Sequence, residues 1–335
     1  MRVGSERVDF GAAMKPEHSI ITLCLACGRA FAKDTETCPN DGTPLIRQGG
    51  VSIEPLDSIY EIQDIRTSRI CHTLQLKAKE SEQRVIAKVY IPKTNDIREK
   101  ERFKRIATTL ERLNHPAIPH VLQKGKLRDG RHYVLLEYKP GLSLMDLLRG
   151  GKKIDPVAVC QIMIKVCEVL EYAHRKNVIP PDLSPGDIIV EPLRSVKDCV
   201  WNVSLVDFGK GNPLLHADNR KAQFTELGDF FGTPEFIAPE IVMQTEIDGR
   251  ANIYALGCIM YLALKGEYPC KGKTWFSTLA LQASGQVAPI YSDTKSKLQA
   301  RMEKIVMTCL QKSRNDRYAG MSDLRSELQS ASKLS

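Results

Sequence analysis

The segment that decides the fold runs from Val178 to Gly209 and reads VIPPDLSPGDIIVEPLRSVKDCVWNVSLVDFG. Its four aspartates include Asp182, Asp187 and Asp207, and Asp207 begins the triplet DFG. Carboxylates are suitable ligands for hard cations such as magnesium. The triplet alone is a weak signal, so its interpretation depends on the segments around it.

Four further segments surround this one. VIAK ends at Lys88, LLEYKPGLSL spans 135–144, GTPEFIAPE runs from Gly232 to Glu240, and SRNDRY contains Arg317. In their order and spacing, these segments resemble the protein kinase superfamily, most closely its bacterial serine/threonine type.

The resemblance covers roughly residues 59–328 and implies an α+β fold of two lobes, a β-rich small lobe at 59–137 and a helical large lobe at 141–328. The hydrophobic pattern agrees. Apolar and polar residues alternate from Ile59 to Tyr90, which predicts antiparallel strands. A second strand pair is predicted at Leu122–Lys126 and His132–Glu137, and helical periodicity is found at 96–113, 156–175, 250–265 and 299–311.

The resemblance also implies a role in phosphoryl transfer for each motif residue. Lys88 would contact the α- and β-phosphates of ATP, Asp207 would hold magnesium, and Asp182 would orient or deprotonate the substrate hydroxyl. Asp187 stands where the family has an asparagine that binds a second metal, and a carboxylate can serve that cation equally well.

Other motif residues are expected to bind the cofactor or to stabilise the fold. Glu137 and Tyr138, in the hinge-like segment, are candidate cofactor-binding residues. Thr233 matches the threonine that marks serine/threonine specificity in the family. Glu240 and Arg317 match a structural ion pair buried in the large lobe.

The small lobe departs from the family pattern at the phosphate-binding loop. Thr67, Arg69 and His72 stand at the three positions where the family has glycine. Because backbone amides approach phosphates closely only where side chains are absent, weak binding of Mg-ATP is expected. Ile86 replaces a small alanine and would crowd the adenine, and Ile106 replaces the glutamate that pairs with the strand lysine.

The catalytic loop departs from the pattern as well. Pro180 and Pro181 replace a histidine and an arginine before Asp182, and Ser184 replaces a lysine that helps to neutralise the transferred phosphate. Loss of one such electrostatic contact typically lowers the rate by about 10²–10³-fold. Asn252 replaces the helix aspartate that secures this loop in the family.

Residues 22–46 resemble a small zinc ribbon that precedes the kinase-like fold. Cys24, Cys27 and Cys38 would hold a structural zinc ion, and Asp41 occupies the spacing of a fourth cysteine. His18 and Cys71 are the alternative fourth ligands. Three free thiols in a disordered leader are the other interpretation. The remaining segments are predicted to be a flexible N-terminus at 1–21, a linker at 47–58 and a tail at 329–335.

Composition excludes several classes of protein. No apolar run reaches the roughly 18 residues of a membrane span, and the N-terminus has no secretory pattern, so a cytoplasmic protein is expected. The other cysteines, including Cys160, Cys167 and Cys258, fit core packing better than a disulfide scaffold. The net charge is +8, but residues 1–50 are neutral, which disfavours nucleic-acid binding there.

Two functions remain open from the sequence. The departures favour a pseudokinase, or a weak atypical kinase, that acts in signalling as a binding or scaffold module. The alternative is an active serine/threonine kinase, supported by Lys88, Asp182, Asp187 and Asp207. A minor third hypothesis makes the zinc ribbon a nucleic-acid binder. The expected partner is a protein, as ligand or substrate, rather than a nucleic acid or a membrane.

Overall fold

The computed structural model describes residues 21–23, 30–31, 46–48, 53–67, 71–91, 107–180, 182–194, 199–208, 233–294 and 296–334. Internal contacts divide the chain into two units. The first comprises Met1–Glu99 and Val121–Tyr138, and the second comprises Lys100–His120 and Lys139–Ser335.

The first unit begins with a small antiparallel sheet. Its strands are β1 (Ile21–Leu23), β2 (Ala30–Phe31) and β3 (Ile46–Gln48), in the order β2-β1-β3. The segments with the predicted zinc ligands connect these strands in the sequence. Cys24, Cys27, Cys38 and Asp41 are outside the described residues.

The main sheet of this unit has five antiparallel strands. They are β4 (Tyr60–Thr67), β5 (Cys71–Ala78), β6 (Arg84–Tyr90), β7 (Val121–Lys126) and β8 (His132–Glu137), in the order β4-β5-β6-β8-β7. In β5, β6 and β8, alternate residues pack into an apolar core that includes Leu74, Leu76, Val85, Ala87 and Leu135. The β-rich small lobe expected from the sequence is thereby confirmed.

The second unit is mainly helical. Its longer helices are α2 (Pro156–Arg175), α4 (Arg250–Lys265), α5 (Trp275–Ser284), α6 (Lys297–Cys309) and α7 (Met321–Ser332), with short helices α1 (Leu144–Leu147) and α3 (Pro239–Val242). The helices predicted at 156–175 and 250–265 have those bounds. Helix α4 is apolar around its circumference because it is buried from Ala251 to Leu264.

Two element boundaries differ from the sequence prediction. The helix predicted at 299–311 begins at Lys297, because the Ser296 side chain accepts a hydrogen bond from the Gln299 amide and caps the helix. The segment expected as a tail from 329 contains the last turn of α7, where Ala331 is buried.

The second unit also contains a three-stranded sheet that periodicity did not reveal. Its strands are β9 (Leu142–Ser143), β10 (Ile188–Arg194) and β11 (Cys199–Leu205), in the order β11-β10-β9. Gly141 precedes β9 with φ of +123°, and a Cβ there would lie 2.5 Å from the carbonyl oxygen of Val190. Glycine is therefore required where the chain enters this sheet.

The burial of the cysteines agrees with the prediction that they pack in the core. Within the described residues, Cys160, Cys167 and Cys258 are buried and free, and burial raises the pKa of the Cys160 thiol to about 12. In the same part of the chain, no helix is both long and apolar enough to cross a membrane.

Candidate functional site

Lys88 lies on β6, on the face of the small-lobe sheet that is opposite the apolar core. Val85, Ala87 and Val89 face that core, so Ile86 and Lys88 project from the other face. The Lys88 residue is only 7% exposed. Ile86 is thus on the same face as the lysine that the sequence assigns to ATP.

The strand register identifies the residues next to Ile86 and Lys88 on the neighbouring strands. Lys88 pairs with Thr73 on β5 and with Val134 on β8, while Ile86 pairs with Gln75 and Leu136. These residues are the described surroundings of the two side chains within the sheet.

Glu137 and Tyr138 follow Leu136 at the end of β8. Glu137 pairs with Val85, and the guanidinium carbon of Arg84 lies 5.7 Å from the centre of the Tyr138 ring. Tyr138 is the last residue of the first unit in the sequence, and Lys139 belongs to the second unit.

Two of the three residues expected at glycine positions belong to strands. Thr67 ends β4 and pairs with His72 on β5, whereas Arg69 is outside the described residues. His72 shares a strand face with Leu74, which is the core face, and burial together with the charge of Arg131 lowers its pKa to about 4. His72 is therefore a neutral, buried residue that projects away from the face of Lys88.

The helix expected to carry a partner for Lys88 is described only at its C-terminal end. Residues 107–111 are helical and Leu110 is buried, while Ile106 lies outside the described residues. Leu113, at the end of the segment 96–113 that was predicted to be helical, is also buried.

The catalytic loop of the second unit forms a closed turn after Asp182. The amide and the hydroxyl of Ser184 both donate to Oδ2 of Asp187, at 2.9 and 2.7 Å. The Asp187 amide in turn donates to the Ser184 carbonyl at 3.0 Å. Ser184 is 8% exposed and Asp187 is 2% exposed, so this turn is buried.

The β10–β11 hairpin brings the backbones of two of the predicted metal ligands close together. Ile188 pairs with Leu205, and the Val206 amide donates to the carbonyl of Asp187 at 2.9 Å. Asp207 follows Val206 directly, so the backbones of Asp187 and Asp207 lie near one another at one end of the hairpin. Phe208, the second residue of the DFG triplet, is 5% exposed and anchors this end in the core.

A buried amide holds the segment that precedes Asp182. Nδ2 of Asn252 on α4 donates to the carbonyl of Pro180 at 2.5 Å, and Nε2 of His174 lies 2.8 Å from its Oδ1. Burial lowers the pKa of His174, so the neutral imidazole is the donor in this pair. No local pattern in the sequence predicts this polar contact.

The arrangement depends on an amide at position 252. Prolines lack an N–H, so Pro180 and Pro181 offer no donor to a carboxylate, whereas the Pro180 carbonyl can accept from Asn252. The structure thereby explains why asparagine accompanies the two prolines.

We expect the Asn252→Leu substitution to lower the free energy of unfolding by about 2–3 kcal/mol, because it leaves the Pro180 carbonyl and the His174 N–H without a buried partner. Asn252→Asp should also be destabilising, since it removes the donor to Pro180. Urea denaturation measures both effects. The exposed residue Asn202 is the matched control, and Asn202→Leu should change stability by less than about 0.5 kcal/mol. Equal effects at positions 252 and 202 would contradict the assigned hydrogen bonds.

The predicted ion pair of the large lobe is confirmed. Arg317 donates to both carboxylate oxygens of Glu240, at 2.7 and 2.8 Å, and the two side chains are 0% and 4% exposed. The Arg317 guanidinium also lies 4.9 Å from the centre of the Tyr254 ring. Thr233 is exposed, just before the turn Pro234–Phe236.

The four predicted zinc ligands and His18 lie outside the described residues. Among the residues that are described, no group of three or more His, Cys, Asp or Glu could hold a metal ion. Cys71 is buried in β5 with its sulfur 3.3 Å from the His72 carbonyl, which disfavours this alternative ligand.

Comparison with known proteins identifies the family. Residues 69–328 match the family model of the protein kinase domain. The chain therefore belongs to the protein kinase family, with a β-sheet small lobe and a helical large lobe.

Several bacterial kinases are similar in sequence. Serine/threonine-protein kinase pkn3 of Myxococcus xanthus is 32% identical over 241 residues, which is 71% of this chain and 43% of the relative. Serine/threonine-protein kinase PknB of Mycobacterium tuberculosis is 26% identical over 230 residues, or 68% of this chain and 35% of the relative. The chain thus matches less than half the length of these relatives.

Proposed function

We propose that this protein is a serine/threonine protein kinase that uses Mg-ATP and turns over slowly. The observation that carries the proposal is the juxtaposition of Asp187 and Asp207 at the end of the β10–β11 hairpin, linked through the hydrogen bond from Val206 to Asp187. Both residues carry carboxylates, which are oxygen ligands of the kind that magnesium takes. The serine/threonine kinase names of the relatives support the same function.

The proposed reaction assigns one role to each side chain. Asp182 accepts the proton of the substrate hydroxyl, whose oxygen forms a bond to the γ-phosphorus while the bond from that phosphorus to the β–γ bridging oxygen breaks, releasing ADP. Lys88 holds the α- and β-phosphates, and Asp187 and Asp207 hold magnesium. The bound metal neutralises the charge that develops on the phosphates.

We expect slow turnover because of the loop that contains Ser184, and not because of the aspartates Asp182, Asp187 and Asp207. Ser184 is neutral and its hydroxyl is directed to Asp187, so it supplies no positive charge to the transferred phosphate. One missing contact of this kind lowers the rate by about 10²–10³-fold.

The direct test is transfer of labelled γ-phosphate from ATP to a generic basic protein and to the chain itself, with and without magnesium. Magnesium-dependent label on serine or threonine is expected. Full-length protein that binds Mg-ATP but transfers no label to either acceptor would overturn the proposal.

A binding module that retains the kinase fold is the second candidate function. It is favoured by the same turn, in which both the amide and the hydroxyl of Ser184 are bonded to Oδ2 of Asp187. In that case the protein would act through its surfaces on a protein partner, and the transfer assay would be negative.

We expect Mg-ATP to bind weakly, because Ile86 shares a sheet face with Lys88 and adds bulk where the family has alanine. Ile86→Ala should therefore tighten binding by about tenfold, which corresponds to the lower part of the usual cost of overpacking. Isothermal titration with and without magnesium measures this. Leu122→Ala, at a position 51% exposed on the same sheet, should leave affinity unchanged. Micromolar affinity of the unaltered protein would contradict the expectation.

We further propose a structural zinc ion in residues 22–46, held by Cys24, Cys27, Cys38 and Asp41. The support is the three-stranded sheet β2-β1-β3, whose connections contain these residues. A segment this short lacks a core of its own, so metal binding would supply its folding energy.

The zinc proposal predicts one zinc per chain by elemental analysis, lost in Cys24→Ser. Cys71→Ser is the matched control and should keep the metal, because Cys71 is buried in β5. Comparing Asp41→Ala with His18→Ala identifies the fourth ligand. Full-length protein without zinc would refute the ribbon.

A further inference from the structure

A fully buried glutamine on α5 bridges two other parts of the second unit. Gln282 is 0% exposed, its Nε2 donates to the carbonyl of Pro234 at 3.0 Å, and its Oε1 accepts from the Tyr254 hydroxyl at 2.6 Å. A carbonyl oxygen can only accept, so the contact with Pro234 fixes which end of the amide is the donor. Both ends of the Gln282 amide are therefore used.

Lys312 completes the surroundings of this amide. Its ammonium group donates to the Tyr254 hydroxyl at 2.9 Å and to the backbone carbonyls of Gln282 and Leu281, at 2.9 and 3.2 Å. Burial raises the pKa of Tyr254, which keeps the phenol protonated as the donor to Gln282. The hydroxyl thus accepts from Lys312 and donates to Gln282.

This cluster meets the buried ion pair at Tyr254. The ring of Tyr254 is in contact with the guanidinium of Arg317, which binds Glu240 on α3. The segment from Thr233 to Glu240 is thereby fixed at both ends, at the Pro234 carbonyl by Gln282 and at the Glu240 carboxylate by Arg317. Thr233 lies at the first of these two points and is exposed.

We infer that Gln282 is a positioning residue for the binding of the protein substrate, acting through the Pro234 carbonyl on the exposed residue Thr233. The inference rests on the proposed kinase function, because Thr233 matches the threonine that marks serine/threonine specificity in the family. Glutamine is required because the site needs a donor toward Pro234 and an acceptor toward Tyr254 in one side chain. Leucine supplies neither, and glutamate supplies only the acceptor.

The test uses Gln282→Leu and Gln282→Glu in the full-length chain. For each, the KM for the basic protein substrate should rise by about tenfold to a hundredfold, with the KM for ATP unchanged. Tyr254→Phe, which leaves the bond to Pro234, should have a smaller effect. Leu279→Ala is the matched control, because Leu279 is a buried residue of the same helix without a polar group. Equal changes in both KM values, or the same change in Leu279→Ala, would overturn the inference.

A second readout separates this inference from the kinase proposal, because it requires no activity. Hydrogen exchange of the 233–238 backbone should become about tenfold faster in Gln282→Leu, while exchange in α7 stays the same. The Phe236 amide, which bonds to the Thr233 carbonyl at 3.0 Å, reports on the turn directly. Faster exchange without detectable phosphorylation would show that Gln282 holds this turn, but it would refute the kinase function and with it the role of the turn in substrate binding. Unchanged exchange would refute the positioning role.

Discussion

Replacing Arg317 with methionine is expected to lower the free energy of unfolding by about 3–5 kcal/mol, because it leaves the Glu240 carboxylate as a buried charge without its partner. The pair has two short hydrogen bonds and almost no solvent exposure. Arg317 also donates to the backbone carbonyls of Gln311, Arg250 and Lys312, and these acceptors would lose their donor as well. Urea denaturation of the two proteins gives the difference.

A partly exposed pair in the same lobe provides the matched control. Arg301 and Glu327 join α6 to α7, with their side chains 34% and 36% exposed. Solvent-exposed pairs contribute about 0–1 kcal/mol, so Arg301→Met should have a small effect. If the two arginine substitutions cost the same, the buried pair would not have the structural importance that its geometry indicates.

Glu240→Gln distinguishes a lost charge from lost packing. Glutamine retains the size of the side chain but leaves the Arg317 cation buried without a carboxylate. We expect the Glu240→Gln, Arg317→Met double variant to be more stable than the sum of the single effects predicts, since neither charge then remains unpaired.

The elements that bury one regular face were predictable from the sequence. Helix α2 repeats apolar residues at helical spacing and begins at Pro156 after the capping residue Asp155, so both its type and its bounds were correct. Strands β5 and β6 of the small lobe place alternate residues, such as Leu74, Leu76, Val85 and Ala87, on the core. The Glu240–Arg317 pair followed from motif resemblance rather than from periodicity.

The β10–β11 hairpin was missed because it is set among helices. Its signal was present, since Val203 and Leu205 are buried while Asn202 is exposed. The two strands have seven residues each. Alternation over so few residues is a weaker signal than helical periodicity over 13 to 20 residues. The hairpin nevertheless determines the position of Asp207 relative to Asp187.

Apart from the Glu240–Arg317 pair, which motif resemblance supplied, the polar contacts between distant segments were not predictable. Gln282 lies 48 residues from Pro234 and 28 from Tyr254, and no local pattern links an amide to partners so far away. The contact of His174 with Asn252 spans 78 residues. Such pairs depend on how helices are placed in the fold, which a single sequence does not specify.

Replacing Asp182 with asparagine is expected to lower kcat for protein phosphorylation by about 10²–10⁴-fold, the range for loss of a general base. Asparagine has the same size but cannot accept the proton of the substrate hydroxyl. Because Asp182 touches the hydroxyl rather than the nucleotide in the proposed reaction, the affinity for Mg-ATP should stay within about twofold. Single-turnover transfer of labelled phosphate and isothermal titration give the two quantities.

Asp323→Asn is the control for this substitution, because it removes a carboxylate from the exposed side of α7 without affecting the loop. It should leave both turnover and nucleotide affinity unchanged. Asp207→Asn should differ from both, since loss of the magnesium ligand weakens magnesium-dependent ATP binding as well as turnover. Activity in Asp182→Asn equal to that of the unaltered chain would show that the substrate hydroxyl is deprotonated elsewhere. The retained aspartate would then act by holding the loop that Asn252 secures through Pro180.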